Sequence, residues 1–206
     1  MGSMSAEQFI NIRPMPGYFR SKGYVPGGII TNSRQEELNM AIVPPFLRTL
    51  LVTDGTVTKS LEAFFWEPVS VENLGQLPVK LSCDLDWLGM HLGDDALRRE
   101  VRLTGELSGQ AYAYAKSWLR LDLLPNNLKD DLIDGKIGIG EILRERGLES
   151  YREILDMGRE QDESLASLLG LQQDAEFLYR TYRVIMHGEA TILITEKFPL
   201  SLYCEQ

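Results

Sequence analysis

The chain has 206 residues, of which 44% are apolar, 25% charged and 9% aromatic, the composition of an ordinary globular protein. Thirty acidic residues against twenty-one basic ones give a net charge of −9, which argues against a protein that mainly binds nucleic acid or an anionic membrane. A chain of this length buries enough surface to fold without a disulfide or a structural metal.

Metal, redox and targeting motifs are missing from the sequence. Cys83 and Cys204 belong to no CxxC motif, so we expect reduced thiols, although the two could pair in principle. His91 and His187 are the only histidines, which leaves no usual zinc-ligand set. No apolar run approaches the roughly 20 residues that span a bilayer, and the N-terminus lacks a signal-peptide pattern. We therefore predict a metal-free cytoplasmic protein without membrane insertion.

The start of the chain differs in composition from the rest. Residues 1–42 are rich in Gly, Pro and Asn and hold few periodic apolar positions, so we predict an irregular N-terminal arm. Met1-Gly2-Ser3 ahead of Met4 looks like a remnant of cloning. From residue 43 apolar residues recur at regular spacings, and we assign residues 43–206 to one domain.

The domain begins with two predicted helices and an outer strand. Residues 46–52 form an apolar run with helical spacing after two prolines. Thr56 is a candidate cap for a second helix that ends at residue 64 or 65. Residues 66–75 and 78–82 have the composition of strands but contain prolines, which favours a position at the edge of a sheet.

The middle of the chain combines a hairpin with two short helices. Two strand-like runs, residues 97–103 and 110–119, flank a glycine-containing connection and predict a β-hairpin. Residues 126–133 and 141–146 predict short helices, each followed closely by a glycine. Three aromatic residues of the second strand are spaced to share one face: Tyr112, Tyr114 and Trp118.

The last third of the chain has the clearest strand pattern. Residues 149–159 predict a strand, and the acidic segment 162–164 predicts the start of a helix that ends at Gly170. Residues 176–186 and 190–198 are rich in β-branched and aromatic residues and flank a turn, which predicts a second hairpin. Hairpins mixed with short helices indicate a single α+β domain built on an antiparallel sheet.

One glycine-rich segment precedes a predicted helix. Phosphate-loop, dinucleotide and serine-nucleophile motifs are absent, but residues 135–140 read Gly-Lys-Ile-Gly-Ile-Gly. Backbone N–H groups at such a helix start can hold an anion. The alternative is an ordinary helix end followed by the start of the next helix.

Arg99 is the arginine that strand alternation turns inward. It shares a face with Val101 and Leu103, which should pack in the core, whereas Arg98 and Arg102 lie on the other face. An inward guanidinium requires an anion and can bind a carboxylate through two parallel hydrogen bonds. The alternative is a partly exposed arginine paired with a neighbouring acid.

Glu196 is a carboxylate in an apolar strand. It shares a face with Ile192 and Ile194, and a buried carboxylate must be paired, protonated or functional. Such a group is a candidate general acid or base. The alternative is that Lys197 marks a strand end that already meets solvent. We assign no chemistry to His91 or His187.

Four segments together resemble the chorismate pyruvate-lyase (4-hydroxybenzoate synthase) family, and more closely its branch from cyanobacteria and archaea. They occur in the family's order and span roughly residues 45–203. The segments are residues 50–62 (LLVTDGTVTK followed by Leu61-Glu62), residues 97–103 (LRREVRL), residues 135–143 (GKIGIGEIL) and residues 192–199 (ILITEKFP).

The resemblance implies a fold and a site. The expected fold is a six-stranded antiparallel sheet flanked by short helices, with an internal ligand site under helical flaps. Arg99 looks like the family arginine that binds the ring carboxylate, and Glu196 is similar to the essential glutamate at the hydroxyl end of the product. These two are the expected catalytic residues. Ile139, next to Gly140, matches the position whose backbone contacts the ligand.

The implied reaction converts chorismate to 4-hydroxybenzoate and pyruvate without a metal or cofactor, as an early step of quinone biosynthesis. Two alternatives remain: a non-catalytic, effector-sensing domain of the same fold that binds an aromatic acid, and a lyase that forms another hydroxybenzoate isomer. We expect a monomer or a weak dimer. The arm at residues 1–42 has no counterpart in the family, and residues 104–109 are remodelled.

Overall fold

The computed structural model describes residues 28–54, 56–125, 129, 132 and 138–204. The α-helices for which the structure gives both ends are α1 (Pro45–Val52), α2 (Val57–Phe65), α3 (Ile139–Glu145) and α4 (Glu163–Leu168). The strands are β1 (Ile29–Thr31), β2 (Glu37–Asn39), β3 (Val69–Lys80), β4 (Asp95–Gly105), β5 (Ala111–Leu119), β6 (Ser150–Gln161), β7 (Glu176–Met186) and β8 (Glu189–Pro199).

The main sheet has six antiparallel strands in the order β3-β4-β5-β8-β7-β6. Strands β3, β4 and β5 form one meander, and β6, β7 and β8 form a second one. The two meanders join where β5 pairs with β8 in the middle of the sheet. The predicted α+β fold is confirmed, as are both predicted hairpins.

Alternation along the strands gives the sheet two different faces. Helices α1, α2 and α3 cover one face, here called the inner face, and share the main hydrophobic core with it. The opposite face packs against α4 and against the segment around Trp87. The inner-face core includes residues from all three helices: Leu47, Leu50, Leu61, Ile142 and Leu143.

The predicted helices in the described part of the chain form for recognisable local reasons. Pro45 lies at the first position of α1, where its missing N–H would have had no partner. Thr56 occupies the N-cap position of α2, as predicted, although its side chain makes no capping hydrogen bond. Asp162 caps α4 by accepting a hydrogen bond of 3.0 Å from the Leu165 N–H.

The predicted irregular arm is wrong for its described part. β1 and β2 pair as a short antiparallel ribbon, and the buried side chains of Ile30 and Leu38 join the main core. Strands of three residues are too short to produce a periodic pattern, so the sequence could not reveal them. Residues 1–27, with Met1-Gly2-Ser3, lie outside the described residues, and the domain boundary at residue 42 stays a prediction.

The turn of this ribbon binds the outer part of the sheet through polar contacts. Ser33 donates to the Asp156 carboxylate from its backbone N–H (2.9 Å) and its hydroxyl (2.6 Å). Tyr179 donates to the same carboxylate (3.2 Å) and accepts a hydrogen bond from the Asn32 amide (3.2 Å). Burial nonetheless raises the pKa of Asp156 above its ordinary value.

Two further details of the sheet differ from the predictions. A register shift between Leu103 and Thr104 of β4 turns Tyr112 to the inner face, where its ring stacks on Phe65 at 3.6 Å. The prediction that Tyr112 shares a face with Tyr114 and Trp118 is therefore wrong. β3 also runs as one continuous edge strand that contains Pro78 and, separately, a bulge between Asn73 and Gly75.

One predicted helix falls mainly outside the described part of the chain. Of residues 126–133, only residues 129 and 132 are described, and both are helical. The helix predicted over residues 141–146 is α3, which begins two residues earlier at Ile139.

The ribbon packs so closely on β6 that a single methyl group added there should destabilise the protein. A Cβ added to Gly158 of β6 would lie 2.7 Å from both Asn32 Nδ2 and Tyr179 Oη. We expect Gly158→Ala to lower the free energy of unfolding by about 1–3 kcal/mol, because a packed neighbour must move. Gly75→Ala is the control, since no atom lies within 4 Å of its added Cβ. Urea unfolding of both variants measures the difference, and equal losses would contradict the prediction.

Candidate active site

A cavity of about 70 Å³ lies on the inner face of the sheet, against the first residues of α2 and α3. That volume accommodates several water molecules. The lining combines apolar side chains from the strands with a set of polar and charged residues. These are Thr56, Thr58, Arg99, Ser117, Glu141, Arg152, Tyr182 and Glu196.

Arg99 lies in the wall of this cavity with only 1% of its surface exposed. It shares the inner face with Val101 and Leu103, as strand alternation predicted, whereas Arg98 lies on the other face beside Glu100. A partly exposed Arg99 is thereby excluded. Burial lowers the pKa of Arg99, because the loss of water disfavours the charged guanidinium. An anion bound beside Arg99 would offset that cost.

Glu196 lies in the cavity wall at 8% exposure, with both carboxylate oxygens engaged. Oε2 accepts a hydrogen bond of 2.7 Å from Arg180 Nε, and Oε1 accepts one of 3.0 Å from the Tyr182 hydroxyl. Burial and the negative charge of Glu196 raise the pKa of Tyr182, so this hydroxyl stays protonated and remains a donor.

The strand does not end at Glu196. β8 continues to Pro199, and Lys197 is mostly buried in an ion pair of 2.7 Å with Glu160 on the opposite face. The alternative that Lys197 marks a solvent-exposed strand end is therefore wrong.

Arg180 connects Glu196 to the helical layer. Its side chain is completely buried, and Nη1 donates to the backbone carbonyls of Leu50 and of Thr53 at the end of α1, the latter at 2.8 Å. Burial alone would lower the pKa of Arg180, but the neighbouring Glu196 carboxylate outweighs that effect and the pKa is raised. A permanent buried cation therefore fixes the position of Glu196.

Arg152 forms a further part of the wall. Its Nη1 donates to the carbonyl of Asp54, and its backbone N–H donates to Asp54 Oδ1 at 3.1 Å. The guanidinium lies 5.9 Å from the centre of the Tyr182 ring. Arg152 thus joins the connection between α1 and α2 to the edge of the sheet.

The glycine-rich segment reaches the cavity where it is described. Gly138 is the N-cap residue of α3, and Ile139 and Gly140 line the cavity beside it. A Cβ on Gly140 would lie 3.1 Å from Arg152 Nη2, which explains why a glycine suits this position. A backbone contact between Ile139 and a ligand stays a prediction.

The register of the strands fixes the spacing of the two predicted catalytic residues. Arg99 pairs with Ser117 of β5, whereas Glu196 pairs with Ala115 of the same strand. Two strand spacings and an offset of two residues separate their Cα atoms by about 12 Å. Because both side chains enter one cavity, they can reach opposite ends of a single six-membered ring.

Three residues of the site were not predicted from the sequence: Arg180, Tyr182 and Arg152. The first two alternate with Leu178 and Val184 along β7, so a period of two could have placed them on the inner face. Arg152 was harder to find, because β6 contains a bulge and lies at the sheet edge.

Other predicted features lie apart from the cavity. Cys83 and Cys204 are free thiols, and His187 occupies the turn between β7 and β8. Within the described ranges, no group of three or more His, Cys, Asp or Glu side chains could hold a metal ion. None of the helices in those ranges is long and apolar enough to cross a bilayer.

The sequence profile of the Rv2949c-like chorismate pyruvate-lyase family matches residues 51–205, which include Arg99, Glu196 and the whole sheet. The chain belongs to this family. The resemblance found in the sequence is therefore confirmed.

Individual relatives agree with this assignment. The chorismate pyruvate-lyase of Mycobacterium leprae is 28% identical over 158 residues, which cover 76% of this chain and 75% of that protein. Its counterpart from Mycobacterium tuberculosis is 26% identical over 162 residues, which cover 76% of this chain and 81% of that protein. A protein of Methanocaldococcus jannaschii is 32% identical over 155 residues, which cover 73% of this chain and 76% of that protein.

Solved structures share the fold of this lyase-family chain. PhnF from Mycobacterium smegmatis superimposes with a TM-score of 0.58 at 16% identity, over 72% of this chain and 65% of PhnF, slightly under two thirds of that protein. The effector domain of PhnF alone gives a TM-score of 0.55 at 15% identity, over 70% of this chain and 88% of that domain. At these identities the similarity establishes the fold and nothing further.

The buried ion pair predicts a large effect on stability. Arg180→Met leaves the Glu196 carboxylate buried without its cation, and we expect a loss of about 3–5 kcal/mol in the free energy of unfolding. Adding Glu196→Gln to that variant should recover part of the loss, because no buried charge is left over. Urea unfolding of the single and double variants measures this coupling.

The matched control is Arg159→Met, which breaks an exposed ion pair with Glu176 at the surface of the same sheet. We expect a loss of at most about 1 kcal/mol there. Additive losses for Arg180→Met and Glu196→Gln would contradict the coupling.

Proposed function

We propose that this chain is an active chorismate pyruvate-lyase, which converts chorismate to 4-hydroxybenzoate and pyruvate as an early step of quinone biosynthesis. Membership in the family supports the proposal. The observation that carries it is the placement of a buried guanidinium, Arg99, and a buried carboxylate, Glu196, in the wall of one cavity.

The cavity matches the groups of the substrate. Chorismate has a six-membered ring with one carboxylate, a hydroxyl group and an enolpyruvyl ether. Arg99 binds the ring carboxylate through charge-assisted hydrogen bonds, and Glu196 faces the hydroxyl end. The backbone beside Ile139 and Gly140 contacts the ligand from the side of α3. Apolar residues of the sheet pack against the ring: Val101, Leu103, Val184 and Ile194.

The reaction balances without an oxidant or reductant. Hydrogen leaves as a proton from the ring carbon that carries the hydroxyl, and the C–H electron pair completes the aromatic ring. The bond from the neighbouring ring carbon to the ether oxygen breaks, and the oxygen keeps that electron pair as enolpyruvate. Protonation of its methylene carbon gives pyruvate. Because aromatisation supplies the driving force, the protein has to orient the substrate and assist one proton transfer.

The partners of Glu196 favour the role of a base or hydrogen-bond acceptor over that of an acid. A general acid would have to be neutral before the reaction, which would leave the fully buried Arg180 without its counter-ion in the resting protein, whereas a base is neutral only while it holds the ring proton. Each carboxylate oxygen accepts one hydrogen bond from the protein and retains a second lone-pair direction for the substrate. We assign to Glu196 the removal of the ring proton, aided by contact with the substrate hydroxyl.

A second candidate function follows from the shared fold with the PhnF effector domain. In that case the same cavity would bind an aromatic acid without converting it. A third candidate is a lyase that forms another hydroxybenzoate isomer. The three candidates make different predictions in one assay.

We expect the purified protein to form 4-hydroxybenzoate and pyruvate in equal amounts from chorismate, in the presence of EDTA. Chromatography of the products distinguishes the hydroxybenzoate isomers, and a reaction without protein gives the spontaneous background. Tight binding of 4-hydroxybenzoate without product above that background would overturn the lyase and favour the binding domain.

Arg99→Ala should weaken the binding of chorismate and of 4-hydroxybenzoate by similar factors of roughly 10- to 150-fold, since both ligands carry the ring carboxylate. Arg98→Ala is the matched control, because Arg98 is the neighbouring residue on the other face of β4 and should leave both affinities unchanged. Steady-state kinetics and titration with 4-hydroxybenzoate provide the two measurements. Unchanged affinities in Arg99→Ala would refute the carboxylate contact.

Glu196→Gln should lower turnover by roughly 10²- to 10⁴-fold while 4-hydroxybenzoate still binds, because the amide keeps the shape but cannot accept the proton. Glu189→Gln, at the exposed start of the same strand, should retain full turnover. A Glu196→Gln protein with near-normal turnover would remove the proton-transfer role and leave Glu196 as a structural group.

A further inference from the structure

Arg152 lines the same cavity as Arg99 and Glu196, on β6 at the far edge of the sheet. Only 15% of its side chain is exposed, so its charge is largely removed from water. It lies at the side of the cavity opposite to β4, since four strand spacings separate β6 from the strand of Arg99. In the proposed reaction Arg99 binds the ring carboxylate. That reaction gives no role to Arg152.

Two nitrogens of the Arg152 guanidinium, Nε and Nη2, have N–H groups available to a ligand. Nη1 donates to the Asp54 carbonyl, whereas Nε is buried and donates to no other residue that the structure describes. Nη2 lies beside Gly140, where the lack of a side chain leaves it next to the cavity. The pair with the Asp54 carboxylate is long at 3.4 Å, and 63% of the Asp54 side chain is exposed, so solvent screens that contact.

The charges around the cavity match a dianion. Arg180 and Glu196 neutralise each other, and Glu141 is partly exposed and lies 3.6 Å from Arg144. Arg99 and Arg152 are two further cationic side chains in the wall. Chorismate carries two carboxylates, one on the ring and one on the enolpyruvyl group.

We propose that Arg152 binds the carboxylate of the enolpyruvyl group, the part of the substrate that leaves as pyruvate. This assignment rests on the proposed lyase function and extends it to the second carboxylate. Arg99 and Arg152 then hold the two ends of the dianion, and the breaking ether bond lies between them.

The position of Tyr182 agrees with this arrangement. Its ring contacts the Arg152 guanidinium at 5.9 Å, and its hydroxyl donates to Glu196. Arg152 and Glu196 therefore both contact Tyr182, Arg152 at the ring and Glu196 at the hydroxyl. In chorismate the enolpyruvyl ether is attached to the ring carbon next to the one that carries the hydroxyl. A substrate whose hydroxyl carbon faces Glu196 can therefore turn its enolpyruvyl group toward Arg152.

The affinities for chorismate and for 4-hydroxybenzoate distinguish the role of Arg152 from that of Arg99. The product 4-hydroxybenzoate retains the ring carboxylate but has lost the enolpyruvyl carboxylate. Arg152→Met should therefore raise the KM for chorismate by about 10- to 100-fold and change the Kd of 4-hydroxybenzoate by less than about twofold. Arg99→Ala should weaken both. Arg152→Lys retains the charge and should recover part of the loss for chorismate.

Two controls separate ligand binding from a structural role. Asp54→Ala removes the side-chain contact with Arg152 but keeps the guanidinium, so it should preserve the affinity for chorismate. Arg159→Met removes an exposed cation of the same strand and should leave both constants unchanged. The Kd of chorismate is also measured in the Glu196→Gln background with and without Arg152→Met, where slow turnover permits an equilibrium titration.

The outcomes test this assignment separately from the lyase function. Equal weakening of chorismate and 4-hydroxybenzoate by Arg152→Met would show that Arg152 only holds the α1–α2 connection, and would overturn the proposal. Unchanged binding of chorismate would overturn it as well. A wild-type protein that binds both ligands without turnover would overturn the lyase function, while selective loss of chorismate binding in Arg152→Met would still support the assignment.

Discussion

The buried ion pair between Arg180 and Glu196 holds the sheet, the helical layer and the cavity in one arrangement. The two residues face each other across neighbouring strands β7 and β8, and Arg180 also binds the last carbonyls of α1. A pair of this kind contributes little net stability compared with apolar residues, because both charges lose their water. Its value is positional: with Tyr182 as a second donor, the Glu196 carboxylate is fixed in the cavity wall.

Most of the sheet could be predicted from the sequence, since its strands are long and rich in β-branched and aromatic residues. Where the local pattern was short or interrupted, prediction failed. The ribbon of β1 and β2 has three residues in each strand and depends on contacts of Ser33 and Asn32 with distant β6 and β7. The register shift that turns Tyr112 inward depends on the pairing of β4 with β5, which no single strand encodes.

Residues of the candidate site could be predicted where a single charged residue interrupts the apolar face of a strand. Arg99 and Glu196 met that criterion, because each alternates with aliphatic neighbours. Arg180 alternates in the same way on β7 and could have been found. Arg152 lies on a bulged strand, and its position beside Gly140 and Tyr182 results from the packing of α3 on the sheet. Arg180 lies directly opposite Glu196 in the β7–β8 hairpin, so the register of that hairpin decides which arginine pairs with Glu196.

The pairing of β5 with β8 has a consequence for how this protein folds. Contacts within each meander are local, but the strands at the junction join residues that are at least 73 positions apart in the chain. Closing such a loop is entropically costly, so we expect the junction to form late. Arg99 belongs to one meander and Glu196 to the other, so the cavity does not exist before that step. Until then, two inner strand edges are exposed to other chains, which makes this interval the most sensitive to aggregation.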